Sequence, residues 1–262
     1  MRALYSAAQG MKAQQVNLDT ISNNLANVNT TGFKKSRVEF KDLLYEQIRR
    51  SNFANDEGRP TSLEVGNGVA LSATLRSFEG GSFNQTSNSY DLAIDGDGFF
   101  EIRDENNNLF YTRDGSFKTS ATEAGNVLVN SDGLFLQGVD GNVVLGEEVS
   151  ETSIDKNGVV TVKRLDGTEE EVATISLVKF SNPAGLESTG GNLFVATNAS
   201  GESLLPDDGS AGSIMQGMLE TSNVQVVEEM INMITAQRAY EMSSKVIQTA
   251  DSMSELANNL KR

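Results

Sequence analysis

Histidine and cysteine are both absent from this 262-residue chain. The commonest general base, the commonest zinc ligands and the best soft nucleophile are therefore missing, and most hydrolase and metalloenzyme mechanisms lose their usual parts. Disulfides are excluded, which fits either redox compartment. Long hydrophobic runs are missing too. Hydrophobic residues make up 38% of the chain, yet the longest apolar stretches are a few residues, far short of the roughly 20 that cross a bilayer as a helix. No membrane insertion is expected. Residues 1–30 have Gln, Asn and Lys in every turn and lack the apolar centre and small-residue cleavage site of a secretory signal. Export, if it occurs, is expected to use a route without a cleaved signal peptide.

Positive charge is scarce: 21 Lys/Arg face 36 Asp/Glu, for a net −15. Residues 1–50 hold eight of the basic side chains against four acidic ones, a surplus of +4 that leaves −19 on the rest. An acidic body argues against nucleic-acid binding. It confers solubility, with charge pairing between subunits as the sharper alternative.

Leu4, Ala8, Met11, Gln15, Leu18, Ser22 and Leu25 recur at spacings of four and three, and Ala7, Gln14 and Ile21 form a second stripe beside them. This periodicity predicts a helix over roughly 3–28, with Gly32 suited to the left-handed conformation past its end. The far end of the chain repeats the arrangement. Ala236, Ala239, Ser243, Val246, Ala250, Met253, Ala257 and Leu260 form one line, with Met233, Tyr240 and Ile247 on the neighbouring face. A helix over about 224–260 follows, near 55 Å long, capped by Asn223 or Ser222 and with Glu228 and Glu229 in its early turns.

Between the helices the period falls to two. Short runs such as Leu92–Ile94, Phe99–Ile102, Val127–Val129, Leu134–Leu136, Val159–Val162 and Ile175–Phe180 are separated by Asp95-Gly96, Asp114-Gly115, Asp132-Gly133, Asp140-Gly141, Asn157-Gly158 and Asp166-Gly167. That density of turn dipeptides predicts an antiparallel β domain. The expected class is α+β: an N-terminal helical segment, 1–45, pairs as a coiled coil with the C-terminal helix, 215–262. An extended connector over 46–84 and an inserted all-β domain over 85–214 complete the plan. Each helix carries more apolar stripe than one partner covers. Copies of the same chain would cover the rest, with the chain's own β body as the intramolecular alternative.

Catalytic constellations are nearly absent. Asp95-Gly96-Asp97-Gly98 resembles the start of a calcium loop, but its twelfth position is Asn106, so a hairpin turn is the better reading. Asp104-x-Asn106-x-Asn108 has Leu109 where glycine is needed and Gly115 where glutamate is needed. Ser176-Leu177-Val178-Lys179 matches an S-x-x-K string but lies in an expected strand without its companion motifs. Gly66-Asn67-Gly68 lacks the third glycine of a dinucleotide fingerprint. Nothing singles out two carboxylates as an acid–base pair for glycoside hydrolysis. An acidic carbohydrate-active enzyme is the alternative from another class.

The string Ser22-Asn23-Asn24-Leu25-Ala26-Asn27-Val28-Asn29-Thr30-Thr31-Gly32-Phe33-Lys34-Lys35 resembles the N-terminal signature of the flagellar rod and hook family. Leu219-Glu220-Thr221-Ser222-Asn223-Val224, continuing through Glu228-Glu229-Met230-Ile231-Asn232-Met233-Ile234 to Gln237-Arg238-Ala239-Tyr240-Glu241, is similar to its C-terminal signature. Asp91–Phe100, Tyr111–Phe117 and Asn182–Leu186 agree, while residues 142–175 match no family string. Phe40-Lys41-Asp42-Leu43-Leu44-Tyr45 and the connector look most like those of distal rod subunits, with a proximal rod or hook-type subunit as runner-up.

The resemblance implies a non-enzymatic, cofactor-free subunit of a hollow helical drive shaft that passes torque to the hook. It places that subunit in the flagellar basal body, in the periplasmic space. Implied partners are further copies of the chain, other rod subunits and hook protein, the surrounding ring proteins and the flagellar type III export apparatus. Candidate assembly residues are Leu4, Ala8, Met11, Leu18, Ile21, Asn23, Asn24, Leu25, Asn27, Gly32 and Phe33 at one end. At the other they are Met233, Ala236, Ala239, Tyr240, Val246, Ile247, Ala250, Met253, Ala257 and Leu260. Arg49, Arg50, Phe53 and Leu63 are the candidate anchors in the connector.

Overall fold

Alternating apolar residues and Asp-Gly or Asn-Gly turns produce most of the β structure. In the computed structural model, which describes residues 2–49, 62–122, 125–146, 149–204 and 212–259, Asp132-Gly133 connects Gly125–Val129 to Phe135–Gly138. Asn157-Gly158 and Asp166-Gly167 turn the meander Val149–Ile154, Val159–Arg164, Glu169–Thr174. Gly133, Gly158 and Gly167 have φ of 84°, 85° and 78°, the left-handed conformation such turns need and glycine adopts without strain.

Asp95-Gly96-Asp97-Gly98 is not a hairpin turn. Leu92–Asp95 pairs with Ser213–Gln216, whereas Phe99–Arg103 enters a different sheet. Gly96 is needed there for another reason: a Cβ at this position would lie 2.9 Å from the Cα of Gly212.

The chain forms two compact units. The β unit comprises Asn27–Lys35 and Ser77–Val224. Its ten-stranded antiparallel sheet runs Val144–Gly146, Gly125–Val129, Phe135–Gly138, Phe99–Arg103, Leu109–Thr112, Leu193–Val195, Glu187–Gly190, with Lys118–Thr122, Gly141–Asn142 and Leu177–Val178 paired off this path. Phe99–Arg103 is buried on both faces, as its unbroken apolar start requires. Phe100 and Ile102 join Leu92, Leu128, Leu136, Val160 and Ile214 in the larger core. Phe99 points the other way, into a cluster with Tyr111, Val178, Phe180 and Phe194 whose rings meet edge to face. Residues 142–175 contain the three-stranded meander.

Gln216 ties that meander down. Its Oε1 accepts the Ile154 N–H at 3.1 Å, and its Nε2 donates to Thr152 O at 2.8 Å and Ser89 O at 2.9 Å. Gln216→Ala leaves two carbonyls and one N–H without these partners, so we expect a loss of about 1–3 kcal/mol in urea denaturation. A change within about 0.3 kcal/mol would mean that water replaces all three bonds.

The helical unit comprises Met1–Ala26, Ser36–Arg76 and Gln225–Arg262. Helix α1 spans Arg2–Ala26, strands β1 (Ser36–Asp42), β2 (Glu46–Arg49), β3 (Leu63–Val65) and β4 (Val69–Arg76) follow, and helix α2 spans Val226–Asn259. β1 pairs antiparallel with β4 through a bulge at Glu39/Phe40, and β2 with β3. The helical reading of 1–45 therefore changes at residue 27, and the segment expected as an extended connector contains strands. Their burial does not alternate cleanly, which is why period-two patterning is weak there. α1 packs on α2 and on the β1–β4 pair. The helices run antiparallel, with Gly10 beside Ser243 and Asn24 beside Glu229. With that register Asp251 falls level with Arg2, so Ser252–Asn259 extends past the start of α1, and every residue of that extension is exposed.

Candidate assembly surface

Two signature residues from opposite ends of the chain meet inside the helical unit. Asn24, 2% exposed, closes a ring with Ser36: its Oδ1 accepts the Ser36 N–H at 2.9 Å and its Nδ2 donates to the Ser36 carbonyl at 2.8 Å. The same Nδ2 lies 3.4 Å from Glu229 Oε2, and Glu229 is itself buried. An amide supplies donor and acceptor together, which neither aspartate nor leucine of similar size can do. Asn24→Leu should lower the midpoint of thermal unfolding through these unpaired groups, worth about 1–3 kcal/mol. An unchanged midpoint would show that the ring contributes nothing.

The segment 27–35 and the C-terminal signature meet inside the β unit. The Gly32 N–H donates to Glu220 O at 2.9 Å. Gly32 has φ +65°, and a Cβ there would stand 2.6 Å from the backbone nitrogen of Asp114. α1 ends at Ala26, so this glycine serves close approach rather than the end of the helix. Lys34, fully buried, donates to Glu220 Oε1 at 2.6 Å and to Glu79 O at 2.7 Å. Glu220 Oε1 also accepts the Gly81 N–H at 2.8 Å. Its Oε2 faces Arg113 Nη1 at 3.4 Å, while Arg113 Nη2 donates to Gly96 O at 2.7 Å. Burial pushes the Lys34 ammonium below its ordinary range, and the neighbouring Glu220 carboxylate acts in the opposite direction.

Asn223, expected as a helix cap, is used here instead. Its Oδ1 accepts the Lys35 N–H at 2.8 Å, and its Nδ2 donates to Ser77 O at 3.0 Å and Glu79 O at 3.2 Å. Ser222 Oγ accepts the Val224 N–H. Lys34, Arg113 and Glu220 are not legible as a group in the sequence. Each lies within a signature string, but no local pattern announces a pairing across 186 residues.

The helices divide the remaining candidate residues by exposure. Ile21, Asn24 and Ala236 are buried within the chain, and Leu4, Met11, Leu18, Leu25, Met233, Ala239, Ile247 and Ala250 are partly covered. Ala8, Asn23 and Ala257 are exposed, as are Tyr240 (38%), Val246 (47%) and Met253 (60%). Asn27, Gly32 and Phe33 belong to the β unit. Leu63 is exposed, whereas Arg50, Phe53 and Leu260 lie outside the described residues and Arg49 is described by its backbone alone. Met242, Val246, Met253 and Leu256 form an exposed apolar line on α2 that no described residue of the helical unit covers.

A cavity of about 300 Å³ lined by Gln9, Lys12, Ala13, Val16, Val69, Ala70 and Leu71 lies between α1 and β4. Among the described residues no carboxylate cluster could hold a metal ion, and no helix is long and apolar enough to cross a membrane.

Three family profiles match the chain. They are "Flagella basal body rod protein" over residues 4–34, "Flagellar hook protein FlgE/F/G D1 domain" over 93–162 and "Flagellar basal body rod FlgEFG protein C-terminal" over 215–260. The flagellar basal-body rod protein FlgG of Borreliella burgdorferi is 47% identical over 100% of this chain and 99% of its own. Those of Caulobacter vibrioides and Bacillus subtilis are 42% and 38% identical, each over the full length of both chains. The crystal structure of the Helicobacter pylori hook protein FlgE2 shares 16% identity over 71% of this chain and 43% of that one, and its TM-score of 0.26 is too low to place any element. The carbohydrate-active alternative is not favoured. With relatives this similar over its whole length, the chain belongs to the flagellar basal-body rod protein family, as a structural rod subunit and not an enzyme.

Proposed function

We propose that this subunit builds the distal rod as a hollow helical drive shaft, with α1 and α2 of successive copies packed as coiled coils. The observation that carries the reading is the uncovered apolar line on α2, together with the overhang of Ser252–Asn259 beyond α1. Burying a side chain of this size contributes roughly 1.5–3 kcal/mol, and a polymer repeats the gain at every subunit. The partly covered and exposed candidate residues on both helices are the contacts in this reading. Those already buried, Ile21, Asn24 and Ala236, hold the presenting surface in shape. Torque passes to the hook through the shaft. The ring proteins surround it in the periplasmic space, and subunits reach it unfolded through the type III export apparatus without cleavage of a signal peptide.

The connector separates a stiff shaft from a flexible joint in the same reading. Leu44, Tyr45, Ile48 and Leu63 are 88%, 55%, 57% and 45% exposed around the β2–β3 pair. A two-stranded ribbon is marginal in water without a covering surface. Apolar contacts to adjacent copies, with Phe53 and Leu63 as anchors and Arg49 and Arg50 as polar ones, supply lateral stiffness. Exposed ion pairs add only about 0–1 kcal/mol each. Deleting 52–63 should leave polymerisation intact but give bent or more flexible rods in electron micrographs. Equally straight rods would assign rigidity to the helices or the β units.

A further inference from the structure

We infer that the β unit is shut by a two-part clasp, residues 27–35 and 212–224, which docks after the rest of that unit has folded. The inference goes beyond the assembly reading and does not depend on it. The strands Ser213–Gln216 and Met218–Glu220 lie outside the ten-stranded sheet and the meander, and among the described residues their strand partners are Leu92–Asp95 and Phe83–Gln85. Most other strands pair with a neighbour through a short turn, as in 125–138, 138–142 and 149–174. Local pairings form early because their loops are short, whereas joining 92–95 to 213–216 requires everything between them to be gathered first.

The chemistry of the clasp is consistent with the same order. Arg113, within the body of the unit, faces Glu220 and two carbonyls, so the carboxylate of an incoming 212–224 meets a cation already in place. Lys34 then adds a second cation to a site whose acceptors, Glu220 Oε1 and Glu79 O, are assembled only once the C-terminal part has docked. Asn223 bonds Lys35, Ser77 and Glu79 together and is the hinge pin between the two parts. Three close approaches leave no slack. Added Cβ atoms on Gly81, Gly212 and Gly32 would fall 2.0 Å from Thr221 O, 2.4 Å from Asp95 O and 2.6 Å from Asp114 N. The segment leaving α1 and the segment leading into α2 thus close on one shared site, and a chain whose residues beyond 211 have not arrived keeps the edges at 83–85 and 92–95 open.

Refolding and unfolding of the full chain, followed by pulsed hydrogen exchange with mass spectrometry, test this. In the wild type, amides of 213–220 and 92–95 should become protected in a phase after those of 125–138 and 159–164. Lys34→Met should speed unfolding about tenfold or more while changing the refolding rate less than about twofold, since its contacts are absent from the transition state. Val160→Ala, in the core, should slow refolding. Protection of 213–220 together with or before 125–138 would overturn the proposal, as would Lys34→Met acting mainly on refolding. If Lys34→Met does not fold, the order of protection in the wild type decides alone.

Discussion

Glu220→Gln should cost the β unit about 3–5 kcal/mol in urea denaturation, because it removes the one carboxylate that Lys34 and Arg113 share and leaves two cations out of contact with water. The amide keeps the size of the side chain and can still accept the Gly81 N–H, so packing is unchanged and charge is the variable. An internal control is available. Arg164 and Glu170 are joined at 2.6 Å but are about half exposed. Breaking that pair with Arg164→Ala should cost less than about 1 kcal/mol, since water screens it. A Glu220→Gln variant within about 1 kcal/mol of wild type would show that Lys34 and Arg113 find other partners on relaxation.

Val246→Glu should abolish polymerisation and leave the monomer as stable as wild type within about 0.5 kcal/mol. Val246 is 47% exposed and does not reach the line that faces α1, where Ala236 is buried and Ser243 and Ile247 are partly covered. A surface substitution of this kind changes monomer stability little. In a polymer that covers the α2 line, the same carboxylate is buried without a partner at every subunit and costs several kcal/mol each time. Polymers at wild-type yield would place this side of α2 in solvent in the assembly.

What the sequence reveals depends on how local the cause is. α1 and α2 fall within two residues of their expected bounds, because their periodicity is carried by the chain itself. Asp132-Gly133, Asn157-Gly158 and Asp166-Gly167 make the hairpins that their composition predicts. Asp95-Gly96 does not, because Gly96 and Gly212 are brought together by a strand pairing more than a hundred residues apart. The heptad spacing places Ala236, Val246, Ala250 and Met253 on one seam of α2. At 3.6 residues per turn Val246 and Met253 stand roughly 80° and 100° round the helix from Ala236, so Ala236 faces α1 while they turn away. Gly32 and Asn223 were legible as special positions but not in their roles, since the partners that demand them, Asp114 and Lys35, lie far along the chain.

The account rests on the apolar line of α2 being covered by other copies, and the absence of cysteine makes one measurement direct. A Met253→Cys variant carries a single thiol, at a position 60% exposed in the isolated chain. Its rate of reaction with a small alkylating reagent should be that of a free surface thiol in the monomer and should fall by about tenfold or more in the assembled rod, where apolar contact excludes the reagent and disfavours the thiolate. Equal rates in monomer and rod, with the rod intact by electron microscopy, would contradict the account.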